Sequence, residues 1–323
     1  MWVLALALDG DAGAGTPAAA GDAGAGTAAA AAAAAPALVP PPAAAGSLLT
    51  RARAAGVWGA RRVPSKGKAQ AIGSCSCGCL QGGATLPVSG RGYEVVRVGR
   101  NRRYGHPQLV AFVRRLGKAA ARGKLGLLMV GDLSQPRGGP TPSGHRSHQS
   151  GLDADIGYVA PAGLRAGRVS ALDRENLWPL AVVDVKTHAP TPAWGPRVVK
   201  LIGVAASDPS VDRIFVNPAI KKMLCEGKTA KAAWQARVRP WWAHQDHFHV
   251  RLRCPADSPL CVPQATPPDD GCGSSLAWWL GGGDASKRAK KKEPAAPAPE
   301  PAFVMPEACG ALVADEKKVA TGD

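Results

Sequence analysis

In His247-Phe248-His249-Val250-Arg251-Leu252-Arg253, polar and apolar side chains alternate. This period of two predicts a half-buried β-strand on which His247 and His249 project to one face, while the apolar residues between them face the core. The two imidazoles then stand side by side, roughly 6–7 Å apart at the backbone. Adjacent imidazoles on one strand face are suited to binding a transition-metal ion.

A second alternation of polar and apolar residues lies upstream, in Leu152-Asp153-Ala154-Asp155-Ile156-Gly157, and predicts another strand with Asp155 on its polar face. His148 ends a loop rich in Gly, Ser and Pro, seven residues before Asp155. If the two strands pair, His148, Asp155 and one histidine of the pair converge on one ion, and this mixture of ligands suits Zn²⁺. Three protein ligands leave a fourth position for water, which is the arrangement of a catalytic site.

Each half of this pattern has an ordinary alternative. The histidines could be buried core residues whose nitrogens are hydrogen-bonded, and the aspartate could cap a secondary-structure element. Their coincidence in a chain with only seven histidines favours the metal site. A closed structural zinc site is disfavoured because no Cys-x₂-Cys pair exists. The chain also lacks a His-Glu-x-x-His motif, which excludes the helix-borne zinc site of thermolysin-like peptidases.

The surrounding elements predict a single small α+β domain, with a central mainly antiparallel sheet that carries the zinc site and helices that flank it. Residues 93–98 and 125–130 are apolar runs of strand length. Helices are predicted to begin at Pro107, Pro196 and Pro218, because proline fits the first helical turn and apolar residues recur at helical spacing after the first two.

Several longer stretches carry a family resemblance. They are Ser143-Gly144-His145-x-Ser147-His148-Gln149-x-Gly151-Leu152-Asp153-x-Asp155-Ile156, Arg213-Ile214-Phe215-Val216-Asn217-Pro218-Ala219-Ile220-Lys221, Val238-Arg239-Pro240-Trp241, and the first-quoted strand continued by Cys254-Pro255-Ala256-Asp257-Ser258. The chain resembles the penicillin-insensitive murein endopeptidases, which belong to the zinc peptidases typified by lysostaphin, D-alanyl-D-alanine carboxypeptidase and the hedgehog signalling domain. The resemblance runs from about Ala71 to about Cys272 and recurs at a C-terminal cysteine.

This resemblance implies a zinc-dependent D,D-endopeptidase that uses zinc-activated water to hydrolyse the D-alanyl–meso-diaminopimelyl cross-link between peptidoglycan strands. It implies His148, Asp155 and His249 as zinc ligands, with His244 and His247 beside the metal. One of these two histidines would be the base and the other would stabilise the oxyanion, and the sequence does not assign the roles. The alternatives are a D-alanyl-D-alanine carboxypeptidase or an L,D-endopeptidase with the same zinc site, or a non-catalytic cell-wall-binding protein.

Other polar residues near these motifs have less specific roles. Asp153 is a natural acceptor for a ligand imidazole, with simple solvation as the alternative. Arg137 and Arg251 could hold a substrate carboxylate, again with solvation as the alternative. The similar enzymes suggest a second, peripheral metal site, although the spacing here differs by a residue from the family pattern. Its candidate ligands are His145, Asp184 and His188, and the alternatives for His145 are a hydrogen bond to substrate or the orientation of His148.

The eight cysteines are an even number spread along the chain, as disulfides would be. The resemblance implies the pairs Cys79–Cys309, Cys225–Cys272 and Cys254–Cys261. Cys75 and Cys77 depart from the family pattern and are interpreted as free thiols, a local pair, or competitors for Cys309. Oxidised cysteines indicate the periplasm or the outside of the cell, and a periplasmic location is predicted.

The chain divides by composition. Residues 1–46 are Ala/Gly/Pro-rich and are predicted to be disordered or partly processed, 47–70 to be a linker, 71–275 the catalytic domain, and 276–323 a basic, Pro/Ala-rich tail tethered by its cysteine. The apolar run Trp2 to Leu8 is too short to span a bilayer and is a poor secretory signal, so no transmembrane segment is predicted.

The formal net charge of +16 admits a nucleic-acid partner. No recognition motif or nucleotide-binding loop accompanies it, so we predict no nucleic-acid partner. Attraction to the anionic cell wall explains the charge, with cross-linked peptidoglycan peptides as the partner. The oligomeric state stays open, with a homodimer among the alternatives.

Overall fold

The structure is a computed structural model that describes residues 51–142, 146–281 and 304–314. Its strands are β1 (Gln70–Gly73), β2 (Gly78–Gln81), β3 (Ala84–Thr85), β4 (Ser89–Gly90), β5 (Tyr93–Val95), β6 (Tyr104–Gly105), β7 (Leu128–Val130), β8 (Asp153–Gly157), β9 (Val211–Val216), β10 (Val238–Pro240) and β11 (His247–Leu252). Its α-helices are α1 (Arg51–Gly59), α2 (Pro107–Arg122), α3 (Ala171–Asn176), α4 (Pro196–Ser207), α5 (Pro218–Glu226), α6 (Gly273–Leu280) and α7 (Glu307–Ala314). Short 3₁₀ helices lie at Val98–Arg100 and Ala233–Arg237.

The central sheet has seven strands in the order β10-β9-β11-β8-β7-β5-β4. The pairs β10–β9 and β7–β5 are parallel, and the other four neighbouring pairs are antiparallel. The predicted α+β domain with a mainly antiparallel sheet is therefore confirmed. β11 lies between β9 and β8, and its His249 is directly opposite Asp155 of β8.

The hydrophobic core lies between this sheet and the helices. Phe248, Val250 and Leu252 of β11 are buried in it, as their alternation predicted. α2 contributes Leu109 and Phe112 from its apolar face. Each such side chain stabilises the fold by about 1.5–3 kcal/mol relative to an exposed one, so the core holds the central strands in place.

The helix starts follow local chemistry. α2, α4 and α5 all begin at the predicted prolines. The Asn217 side chain accepts a hydrogen bond from the backbone N–H of Ala219 at 2.9 Å and caps α5.

Two predicted strands are shorter than expected. The run 125–130 forms a strand only from Leu128, because Gly126 has a left-handed φ of +104° that bends the chain. The run 93–98 leaves the sheet after Val95, because Arg97 has a φ of 54° and begins a 3₁₀ turn. A hydropathy pattern does not reveal where a buried backbone turns.

A second, smaller cluster joins the two ends of the described chain. Trp58 of α1 and Leu312 of α7 pack with the Cys79–Cys309 disulfide. The segment 47–70, predicted as a linker, therefore contains a helix that packs against the domain.

The disulfides in the structure are the three pairs that the resemblance implied, Cys79–Cys309, Cys225–Cys272 and Cys254–Cys261. Cys75 and Cys77 are thiols, so the competing pairing with Cys309 is not formed. The Cys77 thiol donates a hydrogen bond to the carbonyl of Val304 at 3.1 Å.

Within the described part of the chain, no helix combines the length and the apolar character needed to cross a bilayer.

Candidate metal centre

Strand pairing brings three potential ligands together. Asp155 Oδ1 lies 3.2 Å from His249 Nδ1 and 3.5 Å from His148 Nε2. One ligand atom from each of the three residues lies within 4.8 Å of the others, and all three side chains are buried. These are the residues predicted to converge. Two imidazole nitrogens and one carboxylate oxygen form a donor set that fits Zn²⁺.

The charges in this cluster favour a cation. Burial opposes protonation of His148, but the adjacent Asp155 carboxylate outweighs it and raises the pKa of His148 to about 9. Burial would also raise the pKa of Asp155, but His148 holds that pKa well below its usual range. Both shifts arise from the attraction between the two side chains, and a metal ion bound to them would take the place of the proton on His148.

Asp153 orients the His249 ring by contacting Nε2, while Nδ1 faces Asp155. Asp153 Oδ1 lies 2.7 Å from His249 Nε2 and accepts a 2.7 Å hydrogen bond from Arg251 Nε. Because a carboxylate accepts, Nε2 carries the proton, and the lone pair of Nδ1 faces Asp155. Burial would raise the pKa of Asp153, but Arg251 and His249 together lower it. The predicted contact between Asp153 and the His249 imidazole is present, and the metal-ligand role of His249 stays a prediction.

Two further imidazoles lie beside the cluster. His247 Nε2 is 4.0 Å from Asp155 Oδ1, and the ring of His244 is 5.0 Å from that of His247 between centroids. His244 Nδ1 lies 2.7 Å from the carbonyl oxygen of Trp242 and therefore donates to it, which leaves the lone pair on Nε2. Both histidines predicted to be catalytic are thus at the site.

The environments of these two histidines differ. Burial and the neighbouring His247 and His249 rings lower the pKa of His244 to about 3. Burial also acts against protonation of His247, but its hydrogen bond with Asp246 outweighs it and raises the pKa of His247. One imidazole is kept neutral and the other favours the cation, a separation typical of an acid–base pair.

The backbone is strained at the site. His148 has a φ of 69°, and Ala243 and His244 have φ values of 59° and 60°. Left-handed non-glycine residues cost of order 1–3 kcal/mol and persist only where surrounding contacts hold them. Here Asn217 Nδ2 donates to the carbonyl of Ala243 at 2.8 Å. The cap residue of α5 therefore also supports the turn that presents His244.

Two of the three candidates for a second metal site, Asp184 and His188, lie among the described residues. Asp184 and His188 lie on an exposed turn, where Asp184 accepts hydrogen bonds from the backbone of Lys186 and Thr187. His145 lies outside the described residues.

The two arginines predicted to bind substrate have structural partners. Arg137 is buried and donates to the carbonyls of Val63 and Leu312, so it ties α7 to the domain. Arg251 is buried against Asp153 and donates to Gln264 as well. These bonds engage both guanidinium groups, and their contact with a substrate carboxylate stays a prediction.

The sequence analysis assigned no role to Asp246 and Trp178. Asp246 Oδ1 lies 2.5 Å from His247 Nδ1, and Trp178 Nε1 donates to Asp246 Oδ2 at 2.7 Å. A carboxylate one residue before a candidate catalytic histidine was a usable signal for Asp246. Trp178 is 68 residues away along the chain and gave no local signal.

A model of the penicillin-insensitive murein endopeptidase family matches residues 71–314 of this chain. The chain is 46% identical over 225 residues to the penicillin-insensitive murein endopeptidase of Haemophilus influenzae, covering 68% of this chain and 77% of that protein. It is 45% identical over 228 residues to that of Yersinia enterocolitica and 44% identical over 229 residues to that of Escherichia coli O157:H7. Each alignment covers 70% of this chain and 82% of the relative.

Proposed function

This chain belongs to the penicillin-insensitive murein endopeptidase family and is a peptidase of the bacterial cell wall, and from this premise we propose that it is a zinc-dependent D,D-endopeptidase. Its substrate is the D-alanyl–meso-diaminopimelyl bridge that cross-links peptidoglycan strands. Its place of action is the periplasm, which three disulfides and a cell-wall substrate both support.

The observation that carries this proposal is the buried group of His148, Asp155 and His249, with two more imidazoles beside it. These three residues would hold the ion, and Asp153 would keep His249 in the ligating tautomer. When bound, Zn²⁺ supplies a Lewis acid that polarises the peptide carbonyl and lowers the pKa of a water toward about 7.

The protein's own groups then move the proton. His244 Nε2 carries the lone pair, because Nδ1 donates to the Trp242 carbonyl, and it accepts a proton from the attacking water. His247, whose pKa is raised beside Asp246, stabilises the developing oxyanion. The water oxygen bonds to the D-alanyl carbonyl carbon, the C–N bond breaks, and the proton held by His244 passes to the leaving amine.

No covalent bond to the enzyme forms in this mechanism. β-Lactams act by acylating a nucleophilic serine, so the proposed chemistry is indifferent to them.

The test is mass spectrometry of purified cross-linked muropeptide dimers incubated with the zinc-loaded protein, with a chelated sample as the control. Conversion to monomers that retain the stem D-alanine, only when metal is present, supports the D,D-endopeptidase. Release of free D-alanine from uncross-linked pentapeptide would indicate a carboxypeptidase instead, and cleavage confined to L,D-linked dimers would indicate an L,D-endopeptidase. Intact substrates with zinc bound would leave a cell-wall-binding protein.

A further inference from the structure

Asp246 is the residue before His247, and its carboxylate bonds to the His247 ring. Neighbouring residues of a strand point to opposite faces, so this contact requires the chain to leave the strand. β11 begins at His247, and Asp246 belongs to the bend that precedes it. The carbonyl of Asp246 accepts a 3.0 Å hydrogen bond from the backbone N–H of Tyr158, which anchors this bend to the end of β8.

Both carboxylate oxygens of Asp246 are engaged. Oδ1 accepts from His247 Nδ1 at 2.5 Å, and Oδ2 accepts from Trp178 Nε1 at 2.7 Å. The Asp246 and His247 side chains are only 15% and 16% exposed. A carboxylate held at two points in a mostly buried site has one orientation, and so does the imidazole bonded to it.

Trp178 is itself fixed by neighbours on both sides. The guanidinium carbon of Arg97 lies 3.8 Å from the indole centroid, and the His247 ring meets the indole edge-on at 5.8 Å. The indole also reaches the wall of the metal centre. A Cβ built on Gly131 would lie 3.5 Å from Trp178 and 3.3 Å from the Cβ of Asp155. Trp178 therefore links Asp246 to the space beside the candidate ligands.

We propose that Asp246 and Trp178 are positioning residues for His247, an inference that rests on the proposed endopeptidase function. Asp246 keeps a proton on Nδ1 of the imidazole, whether or not Nε2 is also protonated, and it turns Nε2 toward the cluster, 4.0 Å from Asp155. Trp178 holds the carboxylate in the rotamer that permits this bond. Neither residue needs to touch substrate to perform this role.

Kinetics of zinc-loaded variants test the proposal. Asp246→Ala is expected to lower kcat by about 10- to 100-fold, the range for partners that orient site residues, with KM and zinc stoichiometry unchanged. Asp246→Asn keeps an oxygen that can accept from Nδ1, but its amide NH₂ then faces the N–H of Trp178, so it is expected to recover part of the loss. Trp178→Phe removes the indole N–H together with part of the ring, and it is expected to lower kcat by about fivefold. Glu226→Gln removes a charge from an exposed pair with Lys222 and is the control expected to match the wild type.

A second readout does not require turnover. In long-range ¹H–¹⁵N spectra of protein labelled in its histidines, His247 is expected to show a protonated Nδ1 in the wild type and Asp246→Asn. Asp246→Ala is expected to show the Nε2-protonated form or a mixture of the two.

The outcomes are separable. Wild-type kcat in Asp246→Ala together with an unchanged His247 spectrum overturns the proposal. Loss of zinc from that variant would make Asp246 a metal ligand, and equal losses in the Ala and Asn variants with matching falls in Tm would reduce it to a structural residue. If the wild type cleaves no muropeptide while the spectra behave as expected, the proposed function fails but the positioning of His247 stands.

Discussion

The substitution Asp153→Asn tests the effect of the negative charge of a buried carboxylate, because asparagine has nearly the same shape. Asp153 is fully buried, and its Oδ1 serves both His249 and Arg251. An asparagine Oδ1 in the same place can accept the same two hydrogen bonds. The substitution therefore removes one negative charge and little else.

The expected loss of stability is large because the Arg251 side chain is also buried, at 8% exposure. At the 2.7 Å separation of Arg251 Nε and Asp153 Oδ1, Coulomb attraction is about 6 kcal/mol for an effective dielectric constant near 20. Desolvation offsets part of this attraction, so leaving the guanidinium without its partner is expected to lower the free energy of unfolding by about 3–5 kcal/mol. Zinc affinity is expected to fall by about 10- to 100-fold, because a neutral amide makes His249 a weaker ligand.

The assays are urea unfolding of the zinc-free protein and zinc titration against a chromophoric chelator. Asp208→Asn is the charge-matched control, because Asp208 pairs with the half-exposed Arg115, and it should cost below about 1 kcal/mol and leave zinc affinity unchanged. The double variant Asp153→Asn with Arg251→Met leaves no uncompensated charge, so it should regain stability but not zinc affinity.

Two results would each refute part of the reasoning. If Asp153→Asn binds zinc as tightly as the wild type, the carboxylate does not tune His249. If the double variant is as unstable as the single one, the uncompensated guanidinium is not the cause of the instability.

Four further predictions concern the zinc ligands, the general base, inhibition by a β-lactam, and the pH dependence of stability. His249→Ala is expected to abolish stoichiometric zinc binding measured by metal analysis, and a full equivalent of zinc in that variant would remove His249 from the ligand set. His244→Ala is expected to retain zinc and lose about 10²–10⁴-fold in muropeptide turnover, whereas near-normal rates would move the base role to His247. Saturating benzylpenicillin should leave the turnover rate unchanged, and inhibition with a covalent adduct in the mass spectrum would contradict the mechanism. Burial of Lys221 lowers its pKa to about 8, so the unfolded chain binds more protons between about pH 8 and 10.4, and the free energy of unfolding should rise by about 3 kcal/mol across that window. Lys221→Met should flatten this rise in urea midpoints, and an unchanged slope would assign it to another group.

Much of the candidate metal centre could be predicted because its signals are local. Alternation over six or seven residues identified both strands, and the position of Asp155 opposite His249 then follows from their pairing. The starts of α2, α4 and α5 were also predictable, since proline at the first turn acts through its own backbone. The disulfide pairs came from the resemblance and not from spacing.

Other features could not be predicted because they depend on partners distant in sequence. The sequence predicted that Arg137 binds substrate or is exposed to solvent. Its burial becomes evident only in the structure, where it donates to the carbonyls of Val63 and Leu312. The ends of β5 and β7 depend on left-handed residues at Arg97 and Gly126, which an apolar run does not disclose.

The sequence by itself determined the ligand types, the strand that carries His247 and His249, and the family to which they point. The tertiary structure alone decided how each imidazole is oriented. A strand period sets the face from which a side chain projects, but the rotation of the ring and the position of its proton depend on acceptors brought in by other segments. Asp153 faces His249 from the neighbouring strand, and Trp178 reaches Asp246 across 68 residues of chain. No local pattern encodes such contacts, because they exist only once the whole sheet has formed.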